Sequence, residues 1–391
     1  MDSFYNLMFY WGNVEPFDHK AMLKLFFLLF VLLFLGITEW DVISYLQNYA
    51  MGHFVTPRPW FSAIVLTMLV WVVVHYGGNI MQKHKKDNFP LYAFCAWAIT
   101  ALTSLSFVSL AYQAILLIVG IVLVYPVVRL KKKIQFSTAT TPWKNTQSFF
   151  LQMFVLCLYM GIGNGVTDVE HYELRTAQAL MTNHPKKGYK IGEKSYATSQ
   201  RLFAMRCYLL AKTEEDEGGL GENIFDQVVP QSGAVSLFFP KDNKQQLLLP
   251  TDSLEHLLGG KRYTNEQPMA YLRRCAWQAS LKGTNHIAID YYLCGLLLER
   301  DLNTFAREVK RFYPHEISTG KLPTYFAQAL LLYKRSTTQP QVFYTDSSIE
   351  ANLQDYMDMG DTISNRNIRS NLLRRSYGTT YWWWYTYGTR S

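Results

Sequence analysis

Three side chains near the middle of the chain are of the types that bind metal ions or transfer protons. Asp168, Glu170 and His171 lie within four consecutive positions, directly after an apolar run. Carboxylates and imidazole act as metal ligands and as general acids or bases, so this cluster is a candidate site at a membrane surface. The alternative is structural, because acidic residues also stabilise the positive end of a helix dipole at a helix start.

Arginine and aromatic side chains form a second candidate group, and such residues dominate protein–protein binding. Arg273, Arg274 and Trp277 share one predicted helix, while Tyr291 and Tyr292 lie on the next one. The same residue types also suit a helical core with arginine at its rim. The sequence therefore leaves a binding role and a packing role open.

Three consecutive tryptophans, Trp382, Trp383 and Trp384, lie among tyrosines in the last segment of the sequence. Neighbouring side chains point in different directions on a helix or a strand, so the three rings cannot all face one core. They are expected to pack on their own domain, to contact the membrane interface, or to bind a partner.

Motifs of the common catalytic classes do not occur in the sequence: there is no H-E-x-x-H, P-loop, paired-cysteine or G-x-S-x-G pattern. The G-x-G-x-G run at 161–165 ends an apolar segment, which favours close helix packing over dinucleotide binding. Cys207, Cys275 and Cys294 allow at most one disulfide among themselves and are expected to be buried thiols. We therefore predict no catalytic residue, no metal and no cofactor, and an enzyme is the less favoured class.

The composition separates the chain into two parts. Charged residues are 17% of the 391 residues and aromatic residues 15%, whereas a typical soluble domain has about 25% charged residues. Long blocks before residue 166 are nearly free of charge, while residues 167–391 have ordinary soluble composition. This pattern excludes a fully soluble enzyme and a small disulfide scaffold, and it predicts a transmembrane domain at 1–166 followed by a soluble domain at 167–391.

Five membrane spans are predicted, because a hydrocarbon core of about 30 Å needs roughly 20 apolar residues per helix. The segment 91–130 is divided into two spans, since one helix of that length would measure about 60 Å. The predicted spans are 21–37, 61–80, 91–109, 111–130 and 148–165.

The charges between the spans predict the orientation. Basic clusters follow the second span, at 83–86, and the fourth, at 129–144. Because loops rich in Lys and Arg stay in the cytoplasm, the N-terminus is expected in the cytoplasm of a bacterium and the soluble domain in the periplasm, beyond the inner membrane. No nucleic-acid motif accompanies the basic loops, so membrane lipid is the expected contact there and nucleic acid is not.

The soluble half has the period and lengths of helices, which predicts an all-α protein whose second domain is an α-solenoid. The clearest unit runs from Ala288 to Pro314. In it, small residues at Gly295 and Ala306 stand between large ones, and a proline ends the pair. This arrangement is similar to the tetratricopeptide pattern, although a generic helical hairpin would give it too.

Four segments of this half resemble an uncharacterised family of multispanning bacterial membrane proteins with a C-terminal tetratricopeptide-like domain. These segments are 196–225, 290–314 ("DYYLCGLLLERDLNTFAREVKRFYP"), 322–333 and 377–387 ("YGTTYWWWYTY"). The resemblance implies an architecture and no catalytic residues. The family often has a glutamate at the position of Gln328, so no acid–base role is expected there.

Two functions remain as hypotheses. The first is an integral membrane scaffold that presents the periplasmic helical surface to a protein or peptide partner. The second is a transporter or membrane enzyme acting on a lipid-linked or glycan substrate at the outer leaflet. Its site would combine Asp41 and His53 of the first outer loop with the cluster Asp168, Glu170 and His171.

Overall fold

A computed structural model describes most of the chain and divides it into two compact units, Met1–Thr167 and Asp168–Ser391. The residues outside the description are 1–18, 51–57, 85–87, 105–108, 137–141, 183, 194, 196–197, 214–218, 241–251, 284–285 and 389–391. Every regular element in the described part of the chain is helical, which confirms the predicted all-α class.

Unit 1 is built from six α-helices and one π-helical turn within the described residues. The helices are α1 (His19–Leu33), α2 (Trp40–Ala50), α3 (Pro59–Lys83), α4 (Phe89–Ser104), α5 (Leu110–Phe136) and α6 (Pro142–Gly163). The π-helical turn Phe34–Thr38 follows α1 directly. It extends the apolar segment of α1 to Thr38.

Among the described residues of unit 1, three helical segments are long and apolar enough to cross a membrane, so the prediction of five spans is wrong in number. These are Ala21–Thr38, Pro59–Lys83 and Ala111–Arg129. A fourth span is counted only if Gln147–Gly163 and Asp168–Leu180 form one broken span.

The span predicted at 91–109 corresponds to α4, which is too short for a straight crossing. Its 16 residues extend about 24 Å at 1.5 Å per residue, less than the hydrocarbon core of about 30 Å. The span predicted at 148–165 corresponds to a helix that ends at Gly163. This helix is not long and apolar enough to cross a membrane by itself.

Some of the buried polar groups in unit 1 form hydrogen bonds between distant parts of the chain, which burial among apolar side chains favours. The hydroxyl of Tyr159 donates to the carbonyl oxygen of Leu116 at 2.9 Å. Glu39 is fully buried, and its Oε1 accepts from Nδ2 of Asn164 at 2.5 Å. These bonds join helices that are far apart in the sequence.

Unit 2 consists of thirteen α-helices and one 3₁₀-helix (Gly233–Leu237) within the described residues. The first six are α7 (Asp168–Met181), α8 (Pro185–Gly188), α9 (Gln200–Ala211), α10 (Gly219–Asn223), α11 (Ser253–Leu258) and α12 (Pro268–Lys282). The others are α13 (His286–Leu298), α14 (Leu302–Phe312), α15 (Pro314–Thr319), α16 (Thr324–Ser336), α17 (Ser347–Asp361), α18 (Arg366–Tyr377) and α19 (Tyr381–Tyr387).

The central element of unit 2 is α13, in which every residue from Ala288 to Leu298 is buried. Gly295 allows α12 to approach closely, because a Cβ at this position would lie 3.0 Å from Sδ of Met269 and 3.1 Å from Cδ1 of Leu272. One apolar core extends from α7 to α19. The C-terminal helix is therefore part of the folded unit.

Side-chain caps begin several helices of unit 2 and determine where the chain turns. The side chains of Ser199, Asp301, Asp346, Asn365 and Thr380 each accept a hydrogen bond from a backbone N–H in the first turn of the helix that follows. Such caps are worth about 1 kcal/mol each. The cap at Thr380 begins the tryptophan helix α19.

Candidate binding cleft

The residues of the predicted membrane-face site are described in different units. Asp41 is buried in unit 1, where its Oδ1 accepts from the backbone N–H of Val42 at 2.9 Å. Asp168, Glu170 and His171 form the first turn of α7 in unit 2, and His53 lies outside the described residues. In the described part of the chain, no group of three or more His, Cys, Asp or Glu is placed to hold a metal ion.

The predicted binding residues on α12 have intramolecular contacts. Arg274 donates to Glu266 from Nε at 2.9 Å and from Nη2 at 2.8 Å. The ring of Trp277 is covered by Arg311, whose Cζ lies 3.3 Å from the ring centroid. Arg273 is exposed. Of the three, Arg273 is the one that presents its side chain to solvent.

The tyrosines on α13 and the first tryptophan lie in the core of unit 2. Tyr291, Tyr292 and Trp382 have exposed fractions of 0%, 2% and 0%, so their side chains pack inside the unit. Trp383 and Trp384 are half-buried. Successive residues on a helix are rotated by about 100°, and this rotation separates the three rings.

A cleft of about 1280 Å³ in unit 2 is lined by Trp383, Trp384 and the neighbouring Tyr387. Its other walls come from the segment 225–233, from residues 298–300 at the end of α13, and from residues 371–379 at the end of α18. Glu193 and Ser195 complete the lining. No sequence pattern marks this cleft, because its walls come from these five separate segments of the chain.

Phe225 is the centre of an aromatic cluster behind the cleft. Its ring centroid lies 5.0 Å from that of Tyr325, 5.2 Å from Tyr381 and 4.9 Å from Trp384. Edge-to-face pairs at such distances stabilise packing beyond the area that they bury. The cluster fixes the segment 225–233 against α16 and α19.

Gln328 attaches α19 to α16 at the N-terminal end of the tryptophan helix. Its Oε1 accepts from the backbone N–H of Tyr381 at 2.7 Å, and both groups are buried. The hydroxyl of Tyr381 donates to the carbonyl oxygen of Leu297 at 3.2 Å. In the described structure, Gln328 therefore attaches α19 to α16. This role needs a hydrogen-bond acceptor oxygen and no proton transfer.

Arg300 holds the other end of α19. Its Nη2 donates to the carbonyl oxygens of Trp384, at 3.3 Å, and Gly388, at 2.5 Å, and its Cζ lies 4.7 Å from the Trp384 ring centroid. A Cβ at Gly388 would lie 2.9 Å from this nitrogen and would collide with the carbonyl oxygen of Trp384. The glycine thus makes room for the arginine.

Trp383 is oriented by its indole nitrogen. Nε1 donates to the carbonyl oxygen of Ser370 at 3.3 Å, and the ring lies 6.1 Å from that of Tyr387. Cζ of Arg374 is 5.8 Å from the same ring. Because these contacts order the ring before any ligand arrives, binding to this wall costs less side-chain entropy.

Asp226 and Tyr325 connect two walls of the cleft. The Tyr325 hydroxyl lies 2.5 Å from Oδ1 of Asp226 and 2.9 Å from the carbonyl oxygen of Thr379. The side chain of Asp226 is exposed to solvent. The surrounding protein nevertheless removes part of its hydration, which raises the pKa of this carboxyl group. The Tyr325 hydroxyl opposes the rise, and the nearby acids Glu193 and Glu222 add to it.

Replacement of Asp226 by asparagine is therefore expected to stabilise unit 2 slightly at neutral pH. The raised pKa means that the folded state favours the protonated carboxyl group, so the wild type loses stability as the pH rises through this pKa. The amide resembles the protonated form and keeps an acceptor for Tyr325. The melting temperatures of both proteins, compared from pH 7 down to about pH 4, should converge as the pH falls. A lower melting temperature of Asp226→Asn at pH 7 would contradict the argument.

Glu299 holds the C-terminal end of the segment 225–233, where the 3₁₀-helix begins. Its Oε1 accepts from the backbone N–H of Ala234 at 2.8 Å. Gly233 has φ +60°, and a Cβ there would lie 2.6 Å from Oε1 of Glu299. A left-handed glycine is thus required for this close approach.

These features define an all-helical protein with candidate membrane-spanning helices in one unit and an aromatic, charged cleft in the other. Comparison with protein families gives a match to a family of unknown function, DUF6057, over residues 279–388. The matched segment contains α13 to α19 and with them most of the aromatic wall. The match is consistent with the resemblance to an uncharacterised family. Comparison with curated proteins finds no match, and neither does comparison with solved structures.

Proposed function

We propose that the protein is an integral membrane binding protein whose C-terminal unit receives a protein or peptide partner in the cleft of α18 and α19. The observation that carries the proposal is the composition of the cleft walls. Trp383, Trp384, Tyr387, Arg374 and Arg375 line it, and tryptophan, tyrosine and arginine are enriched among the residues that dominate binding energy.

The size of the cleft supports a peptide or a protein segment as the ligand. Pockets for small molecules and cofactors usually measure about 300–1000 Å³, and this cleft, at about 1280 Å³, is larger and contains charged groups of both signs. The alternation of large and small residues in α13 and α14 supports a tetratricopeptide-like arrangement of unit 2. Helical-repeat units of this kind use concave surfaces for binding.

A variant that fills the cleft tests the proposal. Ser376 is exposed and lines the cleft, whereas Ser280 is exposed on α12 outside it. We expect Ser376→Trp to obstruct the cleft and Ser280→Trp to serve as the matched control. The full-length tagged chains would be purified from mildly solubilised native membranes, and co-purified proteins would be quantified by mass spectrometry.

The proposal is supported if a protein is recovered in stoichiometric amount with the wild type and with Ser280→Trp. Ser376→Trp should reduce the recovery of this protein by about tenfold or more. Tenfold corresponds to about 1.4 kcal/mol of binding free energy. Equal recovery with both variants, or a stoichiometric lipid or glycan in place of a protein, contradicts it. The melting temperatures of both variants should equal that of the wild type, which excludes loss of folding as the cause.

We further propose that the N-terminus is cytoplasmic and that unit 2 lies in the periplasm of a bacterium. The basic residues at 83–86 support this orientation. With three spans, residues 129–144 lie on the same side of the membrane as unit 2, so the basic residues there do not support it. A reporter that is active only in the periplasm should be active when fused after Leu258 and inactive when fused after Lys83, between the second and third spans. The opposite pattern would reverse the orientation and would place the cleft in the cytoplasm.

A further inference from the structure

One wall of the cleft is basic. Arg374 and Arg375 lie next to each other near the end of α18, and both line the cleft with exposed side chains. The whole of α18 contains four arginines and no acidic residue. A guanidinium group binds a carboxylate through two parallel hydrogen bonds, so this wall suits an acidic side chain or a terminal carboxylate.

Another wall of the cleft is acidic. Glu193 and Asp226 both line it, and both are exposed to solvent. The electrostatic neighbours that raise the pKa of Asp226 are Glu193 and Glu222, so negative charges are grouped on this side, and the buried Arg206 also interacts with Glu193. A lysine or arginine of a ligand would relieve the repulsion among these carboxylates.

Charged groups elsewhere in the cleft are bonded to uncharged groups of the protein. Arg300 donates to two backbone carbonyl oxygens, and Glu299 accepts from a backbone N–H. These two residues hold the walls in place. Arg375 and Glu193 are therefore the better choices for a test of ligand charge.

We infer that the cleft selects an amphoteric peptide, which places an acidic group at Arg375 and a basic group at Glu193 and Asp226. The inference rests on the proposed function, since it names the chemistry of the ligand of the same cleft. The aromatic wall of Trp383 and Tyr387 would contact the apolar residues between the two charged groups. Because the opposite charges lie on separate walls, they also determine which end of the peptide faces which wall.

The experiment uses a library of random twelve-residue peptides displayed on phage, selected on the full-length chain in detergent. Two variants reverse a charge in the cleft, Arg375→Glu and Glu193→Lys. Two matched controls reverse an exposed charge outside it: Arg366→Glu, on the same helix as Arg375, and Asp355→Lys, on α17. All five proteins would be selected in parallel.

The wild type and the two controls are expected to enrich peptides that contain at least one acidic and one basic residue. Arg375→Glu should lose the preference for the acidic residue and Glu193→Lys the preference for the basic residue. An enriched peptide, synthesised and measured in solution, should bind Arg375→Glu about tenfold more weakly than the wild type. Replacement of its acidic residue by lysine should restore affinity for Arg375→Glu, which a loss of folding would not allow.

The inference and the proposed function fail in different ways. Enrichment of peptides without charge preference, or equal affinity of the wild type and Arg375→Glu, overturns the inference and leaves a peptide-binding cleft. Absence of any enriched peptide on the wild type contradicts the proposed function, and the inference falls with it.

Discussion

Replacement of Trp382 by alanine is expected to destabilise the C-terminal unit by about 3–5 kcal/mol, the range for large-to-small changes of buried aromatic residues. The ring is fully buried in the core of unit 2, and its centroid lies 6.2 Å from that of Tyr356. Its indole nitrogen is buried without a hydrogen-bond partner. Phenylalanine removes this unsatisfied donor and keeps most of the apolar contact, so Trp382→Phe should cost much less.

The fraction of folded protein would be measured by a brief protease pulse across a urea series, because this assay reports opening of the C-terminal unit in the detergent-solubilised full chain. Leu281→Ala is the matched control, since Leu281 is 82% exposed. Its urea midpoint should equal that of the wild type. An unchanged midpoint for Trp382→Ala would show that α19 is not part of the core.

Replacement of Arg300 by alanine is expected to release α19 and to cost about 2 kcal/mol, the scale of a charge-assisted hydrogen bond. The variant loses the bonds to the carbonyl oxygens of Trp384 and Gly388 and the stacking on the Trp384 ring. Arg300 has φ +59°, and alanine keeps this strain, so the substitution isolates the side chain. Lysine should rescue only part of the loss, because an ammonium lacks the planar fork of the guanidinium.

Amide hydrogen exchange of α19 measures this release. The exchange rates of the amides at 381–387 should rise by roughly the factor that corresponds to the lost free energy of unfolding. The amides of α13 should keep their wild-type rates. Arg366→Ala is the control, since Arg366 is an exposed arginine at the start of α18. Unchanged exchange in Arg300→Ala would mean that Gln328 and the aromatic cluster alone hold α19.

Several helices of unit 2 begin or end at a cap, a glycine or a proline, and these boundaries can be predicted from the sequence. The helix Ser253–Leu258 ends at Gly259, whose φ is +76°. The helix Pro268–Lys282 begins at a proline and ends before Gly283. Local chemistry of this kind is visible in a single sequence.

The number of spans is harder to predict from the sequence. Hydropathy shows which residues are apolar, whereas the positions of the helix ends determine whether a helix is long enough to span a membrane. The region 91–130 is free of charge apart from Arg129, yet the helix Phe89–Ser104 is shorter than a span. The π-helical turn Phe34–Thr38 also leaves no pattern that a helical period would detect. Both features depend on tertiary packing in unit 1.

The candidate site shows what a linear pattern misses. Three adjacent tryptophan rings cannot share one core, and the structure buries Trp382 while Trp383 and Trp384 line the cleft. Asp226, Glu193 and Arg300 carried no motif, because they meet only when distant segments fold together. Such residues are found from geometry.

The central claim is that a protein partner occupies the cleft, and photocrosslinking in living cells tests it most directly. A photoreactive amino acid would replace Ser376, in the cleft, or Ser280, outside it. The account predicts a discrete protein adduct from position 376 that is absent from position 280. The same adducts from both positions, or only lipid from position 376, would contradict it.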